Sequence, residues 1–145
     1  MGNFMQRGRR IAFDYGDARI GVAASDQDSI LVSPITTLIS SSRSLLKEIV
    51  EILEEINPIA IYVGKPTNLN GVDSTATSKV LNFVEDLKEI TEIPITLVDE
   101  RMSTVSASRS LREAGLDSKK SKSIIDMAAA VGILEFAITI EKGKS

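Results

Sequence analysis

Near the start of the chain, apolar positions fall in three short extended runs, residues 9–15, 19–25 and 30–38, separated by Gly16-Asp17-Ala18 and Asp26-Gln27-Asp28-Ser29. Turn-rich joints this short predict hairpins, and so a three-stranded antiparallel meander. From Ser42 the period lengthens: Leu45, Leu46, Ile49, Val50, Leu53 and Ile56 fall on one helical face, and Asn57-Pro58 ends it. Residues 59–63 are a continuous apolar run, the pattern of a buried parallel strand. A loop from Gly64 to Gly71 leads to a helix from about Ser74 to Thr91, with Val80, Leu81, Val84, Leu87 and Ile90 on its stripe. Pro94 separates that helix from a strand over 95–98. Ser103 or Thr104 then caps a further helix that Gly115 ends. A basic linker, Asp117 to Lys122, precedes a last helix over about 124–140, apolar on most sides as suits a helix between the sheet and other helices.

The order βββαβαβαα predicts an α/β fold: a five-stranded mixed sheet, the antiparallel meander plus two parallel strands, flanked by helices. A length of 145 residues, with 43% hydrophobic and 26% charged, suits one globular domain over 1–145. No apolar run is long enough to span a membrane without a charge, so no membrane partner is expected. The basic start Arg7, Arg9, Arg10 leads into Asp14, Asp17 and Arg19 rather than a signal-peptide core, and the expected location is cytoplasmic. The sequence holds neither cysteine nor histidine, which removes disulfides, thiol nucleophiles, histidine triads and the usual zinc ligands. Carboxylates, lysine, arginine and hydroxyls remain. A net charge of −3 argues against a protein that coats nucleic acid generally, and four Phe with two Tyr are a thin supply for base stacking.

Against this background Asp14 stands out, an acid inside Ile11-Ala12-Phe13-Asp14-Tyr15-Gly16. A carboxylate on a buried strand is costly unless a salt bridge, hydrogen bonds or a metal compensates. Glu100 follows the C-terminal end of a parallel strand, where open α/β sheets place their ligand crevices, and Asp126 can approach from the last helix. Three carboxylates supply hard oxygen donors for Mg²⁺ or Mn²⁺, and a two-ion site of this kind hydrolyses phosphodiesters without histidine. Each acid also has a plainer reading. Asp14 can be a hydrogen-bonding residue at a strand end, and Glu100 can pair with Arg101 or sit at the positive end of the next helix. Ser123-Ile124-Ile125-Asp126 fits the capping-box pattern, in which Asp126 only starts its helix.

At these residues the chain resembles the YqgF family, also called RuvX or Holliday-junction-resolvase-like proteins, of the RNase H-like fold. The likeness runs from Arg10 to about Ile138: Asp14-Tyr15-Gly16, Arg19-Ile20-Gly21-Val22-Ala23 and Ser25-Asp26, then Val63-Gly64, Pro66, Asn68 and Gly71. It continues through Leu97-Val98-Asp99-Glu100-Arg101 and Ser103-Thr104-Val105 to Asp126 with Ala128-Ala129. The resemblance implies that Asp14, Glu100 and Asp126 are the metal-binding, catalytic acids of a nuclease. It further implies phosphate-facing support from Arg19 and Arg101 and a substrate-side loop from Gly64 to Gly71 that includes Asn68. Lys65 stands where many relatives have an apolar residue, and Met127 where a small one is common. Lys65 and the cluster Lys119, Lys120, Lys122 are candidate contacts to a nucleic-acid backbone.

The resemblance points to metal-dependent endonuclease-type cleavage in processing the 5′ end of pre-16S ribosomal RNA, a step of ribosome biogenesis. Resolution of branched DNA is the second nuclease reading, and there a homodimer rather than a monomer suits symmetric cutting of two strands. A sugar-kinase-like or ATPase role needs a second related domain, for which 145 residues leave no room. A binding module that kept the fold without chemistry is the remaining alternative.

Overall fold

Strand β1 (Arg10–Tyr15) is the middle of a five-stranded sheet of order β3-β2-β1-β4-β5, with β2 at Arg19–Ser25, β3 at Val32–Ile39, β4 at Ala60–Lys65 and β5 at Ile95–Asp99. The structure, a computed structural model, describes residues 6–65, 75–99 and 119–143. β1 pairs antiparallel with β2 and parallel with β4, and β4 pairs parallel with β5. The mixed sheet expected from the sequence therefore forms, and the C-terminal ends of β1, β4 and β5 share one edge.

Helix α1 (Leu45–Ile56) closes where Asn57 adopts φ 51° and its N–H returns to the Leu53 carbonyl at 2.8 Å. The left-handed turn and the proline after it end the helix. Helix α2 spans Thr75–Ile90, and α3 spans Lys119–Gly143. The helix expected over about 104–115 lies outside the described residues.

Alternation along the strands sends successive side chains to opposite faces. Ile11, Phe13, Ile20, Val22, Ile61 and Val63 face the layer of α1 and α2, where they meet Ile49, Leu53, Val80, Phe83 and Leu87. Phe13 meets Phe83 edge-on at 5.8 Å between ring centroids. The opposite face is built from Ala12, Tyr62 and Val98 against Ala129, Ile133, Leu134, Ala137 and Ile138 of α3. The outer side of α3 keeps Ile124 and Ile140 exposed. Among the described residues, no helix is long and apolar enough to cross a membrane.

The start of α3 differs from the boundary that the hydrophobic pattern predicts. Lys119 to Lys122 are not a linker but the first turns of the helix, which begins at Lys119 rather than near Ile124. Lysine and serine carry only small helix penalties, so a charged turn can precede the apolar stripe without a break. Hydrophobic onset and helix onset are different events here. The capping-box reading of Asp126 falls with that boundary, since Ser123 and Asp126 are both inside α3.

Candidate functional site

Asp14 is the fifth residue of β1 and 1% exposed. By alternation it shares the face of Ala12, the one covered by α3, and its register partner on β2 is Gly21. Gly21 is where helix and sheet come closest. A Cβ at that position would fall on the Asp126 carbonyl oxygen, with the carbonyl carbon 2.5 Å and the Met127 nitrogen 3.1 Å away. A glycine inside a strand is the signal of such backbone approach. The missing side chain lets the α3 backbone settle on β2, which brings Asp126 to the part of the sheet face that Asp14 occupies.

Asp126 is 2% exposed, and its Oδ2 accepts a hydrogen bond from Arg19 Nε at 2.8 Å. Arg19 is the first residue of β2, so the same strand supplies both the gap that seats α3 and the cation that holds its carboxylate. This ion pair offsets one of two buried negative charges. Arg19, expected from the resemblance to face phosphate, thus has an intramolecular carboxylate partner.

Lys65 ends β4 and stands in register with Asp99, the last residue of β5. Glu100, the next residue in the chain, lies outside the described residues, as do Asn68 and Arg101. The backbone of α3 places Lys119, Lys120 and Lys122 in the turns just before Asp126. Beyond the hairpin turn of β1 and β2, Lys79 of α2 reaches Asp17 at 2.8 Å, and that carboxylate raises the lysine's pKa.

Among the described residues no group of three or more acids forms a metal cage. Asp14 and Asp126 nevertheless fit a hard cation: both are oxygen donors, both are buried on one sheet face, and the chain has no softer ligand of the histidine or cysteine kind. Two features are not evident from sequence pattern. Gly21 is visible as a strand-interior glycine, but its role needs the helix opposite. The ion pair of buried Arg10 with partly exposed Glu141, 2.7 Å apart at the other end of β1, leaves no local signal, because its partners are far apart in the chain.

Over residues 8–139 the sequence matches the family described as "RuvX: Holliday junction resolvase". It is 46% identical over 143 residues to a Streptomyces coelicolor protein named "Putative pre-16S rRNA nuclease", covering 95% of this chain and 84% of the relative. A protein of the same name from Cutibacterium acnes is 44% identical over 132 residues, covering 90% of this chain and 82% of the relative. Among solved structures, Thermus thermophilus RuvC in complex with a Holliday junction substrate superposes with a TM-score of 0.58 at 15% identity, covering 94% of this chain and 96% of RuvC. That likeness concerns the fold.

Proposed function

Since the chain belongs to the RuvX family, we propose that it is a divalent-metal-dependent nuclease acting on the precursor of 16S ribosomal RNA. The observation that carries this reading is the pair of buried carboxylates, Asp14 and Asp126, set on one face of the sheet through the close approach at Gly21. Asp14, Asp126 and Glu100 are the residues proposed to hold Mg²⁺ or Mn²⁺. When bound, such ions activate an attacking water and stabilise the leaving oxygen of the phosphodiester.

The chain's own groups prepare the site. Arg19 balances the charge of Asp126 and fixes its orientation, and the apolar surroundings of β1 exclude water from the inner side of Asp14. Lys65, Asn68, Arg101 and the lysines of the first turns of α3 are proposed to engage the substrate backbone. Replacing Lys119, Lys120 and Lys122 together by Ala should weaken RNA binding and lower its salt slope by about 2, since each phosphate left without its lysine reduces the slope by ~0.7. Affinities measured across a salt series check this, and an unchanged slope removes these lysines from the interface.

The family's description supplies the second reading, branched DNA. Labelled pre-16S leader RNA and a four-way DNA junction, each incubated with Mn²⁺, Mg²⁺ or chelator, separate the two. Metal-dependent cutting of the RNA alone is the expected result. Cutting of the junction alone establishes the DNA reading, and cutting of neither overturns the nuclease proposal in favour of a binding module.

A further inference from the structure

The Arg10 end of β1 is tied to α3 through Glu141, and the neighbouring strand β2 is tied to the same helix through Arg19 and Asp126. Arg10, Ala12 and Asp14 alternate onto the face that α3 covers, and α3 runs back along it, so Glu141 stands at the Arg10 end and Asp126 near the Asp14 end. Arg10 is 1% exposed. Its Nε donates to Glu141 Oε2 at 2.7 Å, and its Nη2 to Glu141 Oε1 at 3.5 Å and the Gln6 carbonyl at 2.8 Å. Nη1 donates to the Gly8 carbonyl at 2.7 Å and to Ser29 Oγ at 2.9 Å. The whole donor set of the guanidinium is thereby used. Tyr62 lies beside Glu141, and burial, together with that carboxylate, pushes its phenol well above the ordinary range. Tyr62 therefore keeps its proton beside the pair.

An ion pair between a buried arginine and a partly exposed carboxylate is a poor source of stability, because desolvation of the arginine offsets much of the charge attraction. What it supplies is geometry. The rest of this contact is apolar, Ala12, Tyr62 and Val98 of the sheet against Ala129, Ile133, Leu134, Ala137 and Ile138 of α3, with Gly21 at the closest approach. Apolar burial is non-directional and sets how close helix and sheet come, whereas a charge-assisted hydrogen bond has a fixed geometry along the helix axis. A slide by one residue is about 1.5 Å, whereas metal ligands tolerate only about 0.2 Å. We infer that Arg10 and Glu141 are positioning residues that set the axial register of α3, and through it the place of the Asp126 carboxylate beside Asp14. They act across about 22 Å of helix, without touching substrate. The inference rests on the metal-site reading above.

The test is Mn²⁺ binding to the full chain, followed by calorimetry, for wild type, Glu141→Gln, Arg10→Lys, Asp14→Asn and Leu53→Ala. Each protein is held well below its own unfolding midpoint. Leu53 packs in the opposite layer and is 7% exposed, so its truncation lowers stability without touching α3. Glu141→Gln and Arg10→Lys should raise the Mn²⁺ dissociation constant about tenfold, the scale of weakened support behind metal ligands. Leu53→Ala should bind as wild type does. Unchanged affinity in Glu141→Gln, or an equal weakening in Leu53→Ala, overturns the positioning role while leaving the metal site standing. If Arg10→Lys does not fold, Glu141→Gln decides, since it preserves shape at a partly exposed position. Wild type that binds Mn²⁺ no better than Asp14→Asn overturns the metal reading, and the inference falls with it.

Discussion

Asp14→Asn should lower metal-dependent cleavage by more than about 100-fold, beyond the range for removing a mere outer partner of a metal ligand, while the thermal midpoint moves by only a few degrees. The contrast follows from where Asp14 sits. It is 1% exposed on the central strand and shares its face with Ala12. Asparagine keeps the shape and removes the charge, so packing against α3 survives, and the desolvation cost of a buried carboxylate disappears. A hard cation exchanges a charged ligand for a weak neutral one. Single-turnover rates and melting curves on the same preparations measure both effects. Cleavage at the wild-type rate would mean that Asp14 is a structural acid or that another nuclease contaminates the sample.

Gly21→Ala should damage fold and function together, and that separates it from the first variant. The added methyl meets backbone, the Asp126 carbonyl, rather than the yielding tip of a side chain. Relief requires α3 to lift from β2, and overpacking of this kind costs about 1–3 kcal/mol or more. For a domain of this size that corresponds to a midpoint lowered by roughly 2–12 °C. Lifting α3 also displaces Asp126 and strains its 2.8 Å bond to Arg19. A misplacement of about 1 Å near reacting groups costs on the order of 100-fold in rate. Gly143→Ala is the matched control, because a Cβ there meets nothing within 4 Å. Wild-type stability in Gly21→Ala would show that helix and sheet do not touch through this gap.

The succession of strands along the chain and both early helices were legible because their signals are local. The hairpin joints at Gly16 to Ala18 and Asp26 to Ser29, the stop at Asn57-Pro58 and the alternation along β1 and β2 each follow from neighbouring residues, and the observed strands lie within two residues of the expected starts. The first turns of α3 were not legible. Lys119 to Lys122 look the same by hydrophobic pattern whether they form a linker or a helix, and only the continued backbone decides. Asp14 could be singled out from sequence because a charge in an apolar strand is conspicuous at once. Asp126 had two readings, a helix cap or a site acid, and the helix that already runs through Lys119 to Ser123 removed the first.

The sequence by itself determined the α/β class, the pairing pattern of the meander and the oxygen-rich chemistry, since these depend on periodicity, turn residues and the absence of histidine and cysteine. The tertiary structure alone decided that Gly21 admits the α3 backbone, that Arg19 belongs to Asp126, and that Arg10 closes on Glu141 at the far end of the same helix. The physical reason is distance along the chain. Period and turn preference act between neighbours, whereas close approach and ion pairing join residues that become neighbours only when α3 lies down across the sheet.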